Sequence, residues 1–196
     1  NGSQPNLRIQ GGYGESASLA ATVGGAVGTG TFALSQTLTL SSYVGYAIAV
    51  GDLNGDGQTD IATAGLFTGA LDGWATVSLA GAGGTFATPQ TYAVENGQSN
   101  AISLTDLNLD GVLDLVTAGN TDGLDGYATI RLGIGNGTFG SAISYASESR
   151  TSYSVATNDI NNDGIPDLIT GGRTDSLDGG VTVRIGVGNG TFGAAV

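Results

Sequence analysis

The sequence predicts an all-β fold of tandem four-stranded antiparallel units. Three observations carry the prediction: a repeat of about 53 residues, alternating apolar and polar runs inside each repeat, and turn residues that interrupt those runs. Segments Asp52–Asp60, Asp106–Asp114 and Asp159–Asp167 start 54 and 53 residues apart. Leu-Asp-Gly recurs at Leu71-Asp72-Gly73, Leu124-Asp125-Gly126 and Leu177-Asp178-Gly179, spaced by 53 each time. Gly-Thr-Phe places phenylalanines at Phe32, Phe86, Phe139 and Phe192, and each of the first three lies 20 residues before the next aspartate loop. Three markers in one phase do not arise by chance.

Each element follows from local pattern. In the third repeat Tyr153-Ser154-Val155-Ala156-Thr157 alternates, which predicts strand one near 151–158. The apolar run Leu168-Ile169-Thr170 predicts strand two near 167–172. Val181-Thr182-Val183-Arg184-Ile185 predicts strand three near 180–187, and strand four is expected to begin at 191. Asn136-Gly137 and Asn189-Gly190 sit between alternating runs, as in a type I′ hairpin. Four strands in about 50 residues is the size of one β-propeller blade. Matched to this phase, the chain holds about 3.75 blades, in an open or partial propeller or one completed by another chain. The expected divisions are a partial, degenerate blade at 1–40 and blades at 41–95, 96–148 and 149–196. In the first, Gln4-Pro5-Asn6-Leu7 matches Ile165-Pro166-Asp167-Leu168, Thr29-Gly30-Thr31-Phe32 matches Asn136-Gly137-Thr138-Phe139, and strand one is missing.

Composition narrows function. The chain has 36 glycines, 17 acidic and 5 basic residues, a formal charge of −12, and no histidine, cysteine, methionine or lysine. Zinc sites of the usual kind, haem ligation, disulfides and Cys or Ser-His nucleophiles are excluded. A basic face for nucleic acid is absent, and no apolar run approaches the ~18 residues of a membrane span.

The acidity is concentrated, since nine of the 17 acidic residues lie in the three loops. Each loop offers side-chain oxygens at positions one, three, five and nine, with glycine at six and a backbone carbonyl at seven. These are Asp52, Asn54, Asp56, Gln58 and Asp60; then Asp106, Asn108, Asp110, Val112 and Asp114; then Asp159, Asn161, Asp163, Ile165 and Asp167. Hard oxygen donors in this number suit Ca²⁺, with Mg²⁺ second because it demands a stricter octahedron. The last carboxylate falls at nine rather than a glutamate at twelve, and no helical pattern flanks it, so the loop is not an EF-hand. Three bound divalent cations would halve the formal charge of −12.

With these Asp-x-Asn-x-Asp-Gly-x-x-Asp loops and the Gly-x-Gly-Asn-Gly-Thr-Phe-Gly segments at 133–140 and 186–193, the sequence resembles the FG-GAP/VCBS repeats, the β-propeller blades of integrin α-chains and many bacterial surface proteins. The resemblance implies that each loop joins the first two strands of a blade and binds Ca²⁺, giving three sites. The partial blade lacks the loop, and no metal is expected there. The family usually closes seven or so blades, more than this chain holds.

Other residues take quieter roles. Asp72, Asp125 and Asp178 are expected at turns, and the four phenylalanines in a repeated core. Trp74 and Tyr127 are expected to pack between blades, with stacking on sugar rings as the alternative. Arg131 and Arg184 are expected to pair with acids of a neighbouring blade. The Asn-Gly-Ser/Thr sequons at Asn1, Asn136 and Asn189 read as tight turns. The functional expectation is a non-enzymatic, calcium-stabilised module, secreted or at a bacterial or other microbial cell surface. It would act in adhesion or structural self-assembly, with itself or another protein as partner. A lectin binding glycans between blades and an accessory domain of a secreted enzyme are the alternatives.

Overall fold

The computed structural model describes residues 18–20, 37–39, 43–67, 72–94, 97–121, 125–147, 150–174 and 178–196. Most of the partial blade at 1–40 lies outside them, including Phe32 and the segments 1–7 and 29–31, as do Leu71, Leu124 and Leu177.

The described chain is all-β. Strands β1 (Ser18–Ala20) and β2 (Thr37–Thr39) form a two-stranded antiparallel ribbon. The first full blade is an antiparallel meander of β3 (Tyr43–Gly51), β4 (Asp60–Phe67), β5 (Gly73–Ser78) and, after a small ribbon of β6 (Ala80–Gly81) and β7 (Thr85–Phe86), β8 (Gln90–Ala93). The second runs β9 (Gly97–Thr105), β10 (Asp114–Thr121), β11 (Gly126–Arg131), β12 (Ile143–Ala146). The third runs β13 (Thr151–Asn158), β14 (Asp167–Arg173), β15 (Gly179–Gly186), β16 (Phe192–Ala195). These are β-propeller-type blades, and the strands of the third lie within a residue or so of their expected places.

One expectation fails at the Gly-Asn-Gly turns. A type I′ turn needs positive φ at both central residues, yet the positive values fall on Gly135 (81°), Gly137 (80°), Gly188 (84°) and Gly190 (78°), not on the asparagines between them. Asn136 Oδ1 instead accepts the Thr138 N–H, and Asn189 Oδ1 the Thr191 N–H, closing Asx turns. The second glycine is also demanded by packing: a Cβ at Gly137 would lie 2.5 Å from Leu79, and one at Gly190 2.4 Å from Leu132.

The core lies between blades, in repeated seams. At the first seam Tyr92 of β8 meets Phe139 edge-on at 5.4 Å, over Leu53, Ala62, Ala75, Val77 and Leu115. At the second, Tyr145 of β12 meets Phe192 at 5.6 Å, beside Leu107, Val116, Ala128, Ile130 and Leu168. Leu38 of β2 packs on Ile61 and Phe86 in the same fashion. The sheets carry small residues on these faces, which lets neighbouring blades approach closely.

The arginines depart from expectation. Arg131 donates to the carbonyls of Gly140 (2.8 Å) and Ala93 (2.7 Å), and Arg184 to those of Gly193 (2.9 Å) and Ala146 (2.7 Å). Each guanidinium lies over a tyrosine ring, Arg131 at 5.6 Å from Tyr92 and Arg184 at 5.4 Å from Tyr145. Among the described residues they bridge blades through backbone oxygens rather than acids, because the strand end opposite each arginine presents carbonyls.

Candidate metal centre

Each aspartate loop joins the first two strands of its blade: 52–59 between β3 and β4, 106–113 between β9 and β10, 159–166 between β13 and β14. Two left-handed residues shape it. Position six is always glycine, with φ of 80°, 85° and 85° at Gly57, Gly111 and Gly164. Position four is Gly55, Leu109 or Asn162, also left-handed, at 74°, 62° and 63°. Leu109 carries a steric cost there that glycine would not.

The side chains at one, three and five lock the turn. Asp52 accepts the N–H groups of Gly55 (2.8 Å), Asp56 (3.2 Å) and Gly57 (2.8 Å). Asn54 accepts the Asp56 N–H and donates its amide to Asp56 Oδ2, both at 3.1 Å, while Asp56 Oδ1 accepts the Gln58 N–H at 2.8 Å. Asp106, Asn108, Asp110 and Val112 repeat the scheme, as do Asp159, Asn161, Asp163 and Ile165. The loops are largely exposed, and their first, third and fifth side chains lie together on one turn.

Position nine behaves differently. Asp60, Asp114 and Asp167 are fully buried. Asp60 Oδ2 accepts the Leu53 N–H at 2.8 Å and its Oδ1 the Ala80 N–H at 2.7 Å. Asp114 does the same with Leu107 and Gly133, both at 2.8 Å, and Asp167 with Ile160 (3.0 Å) and Gly186 (2.8 Å). The carboxylate thus ties the loop to the end of strand three. Among the described residues no three acidic side chains gather in an arrangement ready to hold a metal ion.

Electrostatics follows these positions. The Gln58 N–H, then the Asn54 amide, holds the Asp56 carboxyl below its ordinary range. The Gly164 N–H is the main cause that lowers Asp159. Burial pushes Asp114 up, and the nearby charges of Asp110 and Asp106 add to it against the N–H groups of Gly133 and Leu107.

The donor chemistry fits a hard cation. Every candidate atom is oxygen, and each carboxylate oxygen that takes one N–H keeps a second lone pair. Asp52, Asn54, Asp56 and the Gln58 carbonyl would hold such an ion, with Asp60 as the expected fifth donor, and likewise in the other two loops. Such an ion would supply charge neutralisation to the clustered acids.

Several residues of this region were not singled out by sequence. Leu53 and Leu107, at loop position two, are buried and pin the loops into the seams. Their recurrence at one loop position was the available signal. Trp74 and Tyr127 are 2% and 3% exposed, so neither ring is open to a sugar. Asp72, Asp125 and Asp178 each use a backbone carbonyl to close the turn before strand three, accepting from Phe67, Thr121 and Thr174 at 2.8 Å.

The family model described as FG-GAP repeat matches residues 44–71, which span β3, the first loop and β4. The model described as FG-GAP-like repeat matches residues 106–170, from the second loop through the third. No curated protein matches the chain. Residues 44–71 and 106–170 are thus similar to FG-GAP-type repeats.

Proposed function

We propose that this β-propeller-type repeat module is a non-enzymatic, calcium-stabilised element of a microbial exterior, secreted or at the cell surface, acting in adhesion or structural self-assembly. FG-GAP repeats are in general structural or adhesive rather than catalytic. The single observation that carries the calcium reading is the threefold recurrence of one exposed loop geometry with an all-oxygen donor set. Clustered carboxylates repel one another, and a divalent cation converts that repulsion into a clamp between strands one and two.

Affinity in the range of ~10⁻⁴–10⁻³ M matches millimolar calcium outside cells. Calcium at tenfold its Kd stabilises the fold by about 1.4 kcal/mol per site. Thermal unfolding in 5 mM calcium and in excess chelator tests the reading, with a midpoint several degrees lower in chelator expected. An unchanged midpoint defeats it. The lectin reading loses the two aromatics named for it, because Trp74 and Tyr127 are buried.

A further inference from the structure

Among the described residues, asparagine stands before glycine three times, at Asn54-Gly55, Asn136-Gly137 and Asn189-Gly190. In this dipeptide the asparagine side chain is most open to attack by the backbone, because no Cβ keeps the glycine nitrogen from the side-chain carbonyl carbon. All three glycines are left-handed, with φ of 74°, 80° and 78°, so local conformation does not separate the sites. Packing does. Gly55 is exposed, and a Cβ there would meet nothing within 4 Å. Gly137 and Gly190 are buried, with Leu79 and Leu132 of the preceding blades pressed against them.

Hydrogen bonding points the same way. The Gly137 N–H donates to the carbonyl of Leu53, a buried residue of the preceding blade, at 3.0 Å. The Gly55 N–H donates to the Asp52 carboxylate at 2.8 Å. Asn54 itself bonds Asp56 through both its Oδ1 and its Nδ2, at 3.1 Å. These last contacts lie inside one exposed loop, so opening them disturbs no seam, whereas freeing Gly137 disturbs the packing between two blades. The equivalent asparagines of the other loops are shielded differently. Asn108 precedes Leu109 and Asn161 precedes Asn162, whose side chains hinder the attack. Position four thus sets strain against lability: Leu109 bears a left-handed strain that Gly55 escapes, and Gly55 leaves Asn54 open to the reaction.

We propose that Asn54 is a site of spontaneous deamidation, set apart by the fold from Asn136 and Asn189. The Gly55 nitrogen attacks Asn54 Cγ, and the new C–N bond closes a succinimide ring. The Cγ–Nδ2 bond breaks, and the amide leaves as ammonia, carrying the Gly55 proton. Water then opens the ring at either carbonyl, leaving aspartate or isoaspartate at position 54. Either product makes the formal charge of −12 one unit more negative. Isoaspartate also adds a methylene to the backbone and shortens the side chain, which breaks the paired contacts to Asp56. Asn54 is a candidate metal ligand, so the first loop changes its donor set with age while the other two keep theirs. The reaction needs no cation and does not rest on the calcium reading.

Incubation in mildly alkaline buffer without added divalent cation, followed by peptide mass spectrometry, tests this, with circular dichroism checking that the chain stays folded. Conversion at Asn54 should run about tenfold faster, or more, than at Asn136 or Asn189. In denaturant the three rates should converge, because packing no longer separates the sites. Leu109→Gly should bring Asn108 to within about threefold of the Asn54 rate, and it relieves strain rather than adding it, so the variant should fold. Equal conversion at the three asparagines of the folded chain overturns the inference. So does a difference that survives denaturant, or an Asn108 that stays intact in folded Leu109→Gly.

Discussion

The two seams between full blades are near copies, and one of their differences is instructive. Both use a tyrosine, a phenylalanine 47 residues later, and an arginine reaching two carbonyls. At the second seam the Tyr145 hydroxyl accepts the Phe192 N–H at 3.0 Å. At the first, the Phe139 N–H approaches the Tyr92 hydroxyl, but that buried oxygen closes no hydrogen bond. What repeats every 53 residues is thus an interface as much as a blade. Aromatic packing is conserved between the copies, whereas a hydrogen bond depends on a few tenths of an ångström.

The largest test of this equivalence removes the phenylalanines. Phe139→Ala and Phe192→Ala should each cost about 3–5 kcal/mol in denaturant unfolding, since each leaves a cavity under a tyrosine. A much smaller loss for Phe192→Ala would show that the third blade unfolds on its own.

Next in size is the buried carboxylate that ties loop to sheet. Asp114→Asn should cost about 2–3 kcal/mol, because an amide has one acceptor oxygen for two N–H groups. Measured in chelator, where a cation adds nothing, Asp110→Asn should cost less, its loop being exposed.

The hydroxyls come third. Tyr145→Phe should cost about 1–2 kcal/mol by leaving the Phe192 N–H without its acceptor. Tyr92→Phe should be neutral or slightly stabilising. Equal effects would erase the difference between the seams.

The smallest effect is alkaline. Burial raises the Tyr92 pKa above its ordinary value of 10.0, outweighing the Phe139 N–H and the Arg131 charge that lower it. The unfolded chain then releases this proton first, so stability is intact below pH 10 and falls as pH rises through the folded pKa. A pH titration of the unfolding midpoint should show a shallower alkaline decline for Tyr92→Phe.

Much of this was legible in advance because it is local. Alternation in Val181–Ile185 and glycine at loop position six act within a few residues, and so do the Asp-x-Asn-x-Asp contacts of each loop. Strand positions and candidate ligand positions could therefore be read directly. The Gly-Asn-Gly turns were misread because Asn136 satisfies its oxygen on Thr138, an option that the Asn-Gly pattern alone does not exclude.

What the sequence by itself determined is the repeat, its four-strand units and the oxygen-rich loops, since turn chemistry and pleat periodicity are short-range. Only the tertiary structure decided which face of each sheet meets a neighbour. It also decided that Arg131 reaches the Ala93 carbonyl 38 positions away, that Asp60 binds the Ala80 N–H, and that Trp74 and Tyr127 are buried. Those outcomes depend on groups brought together from distant positions, and periodicity carries no information about which of several polar partners will stand opposite.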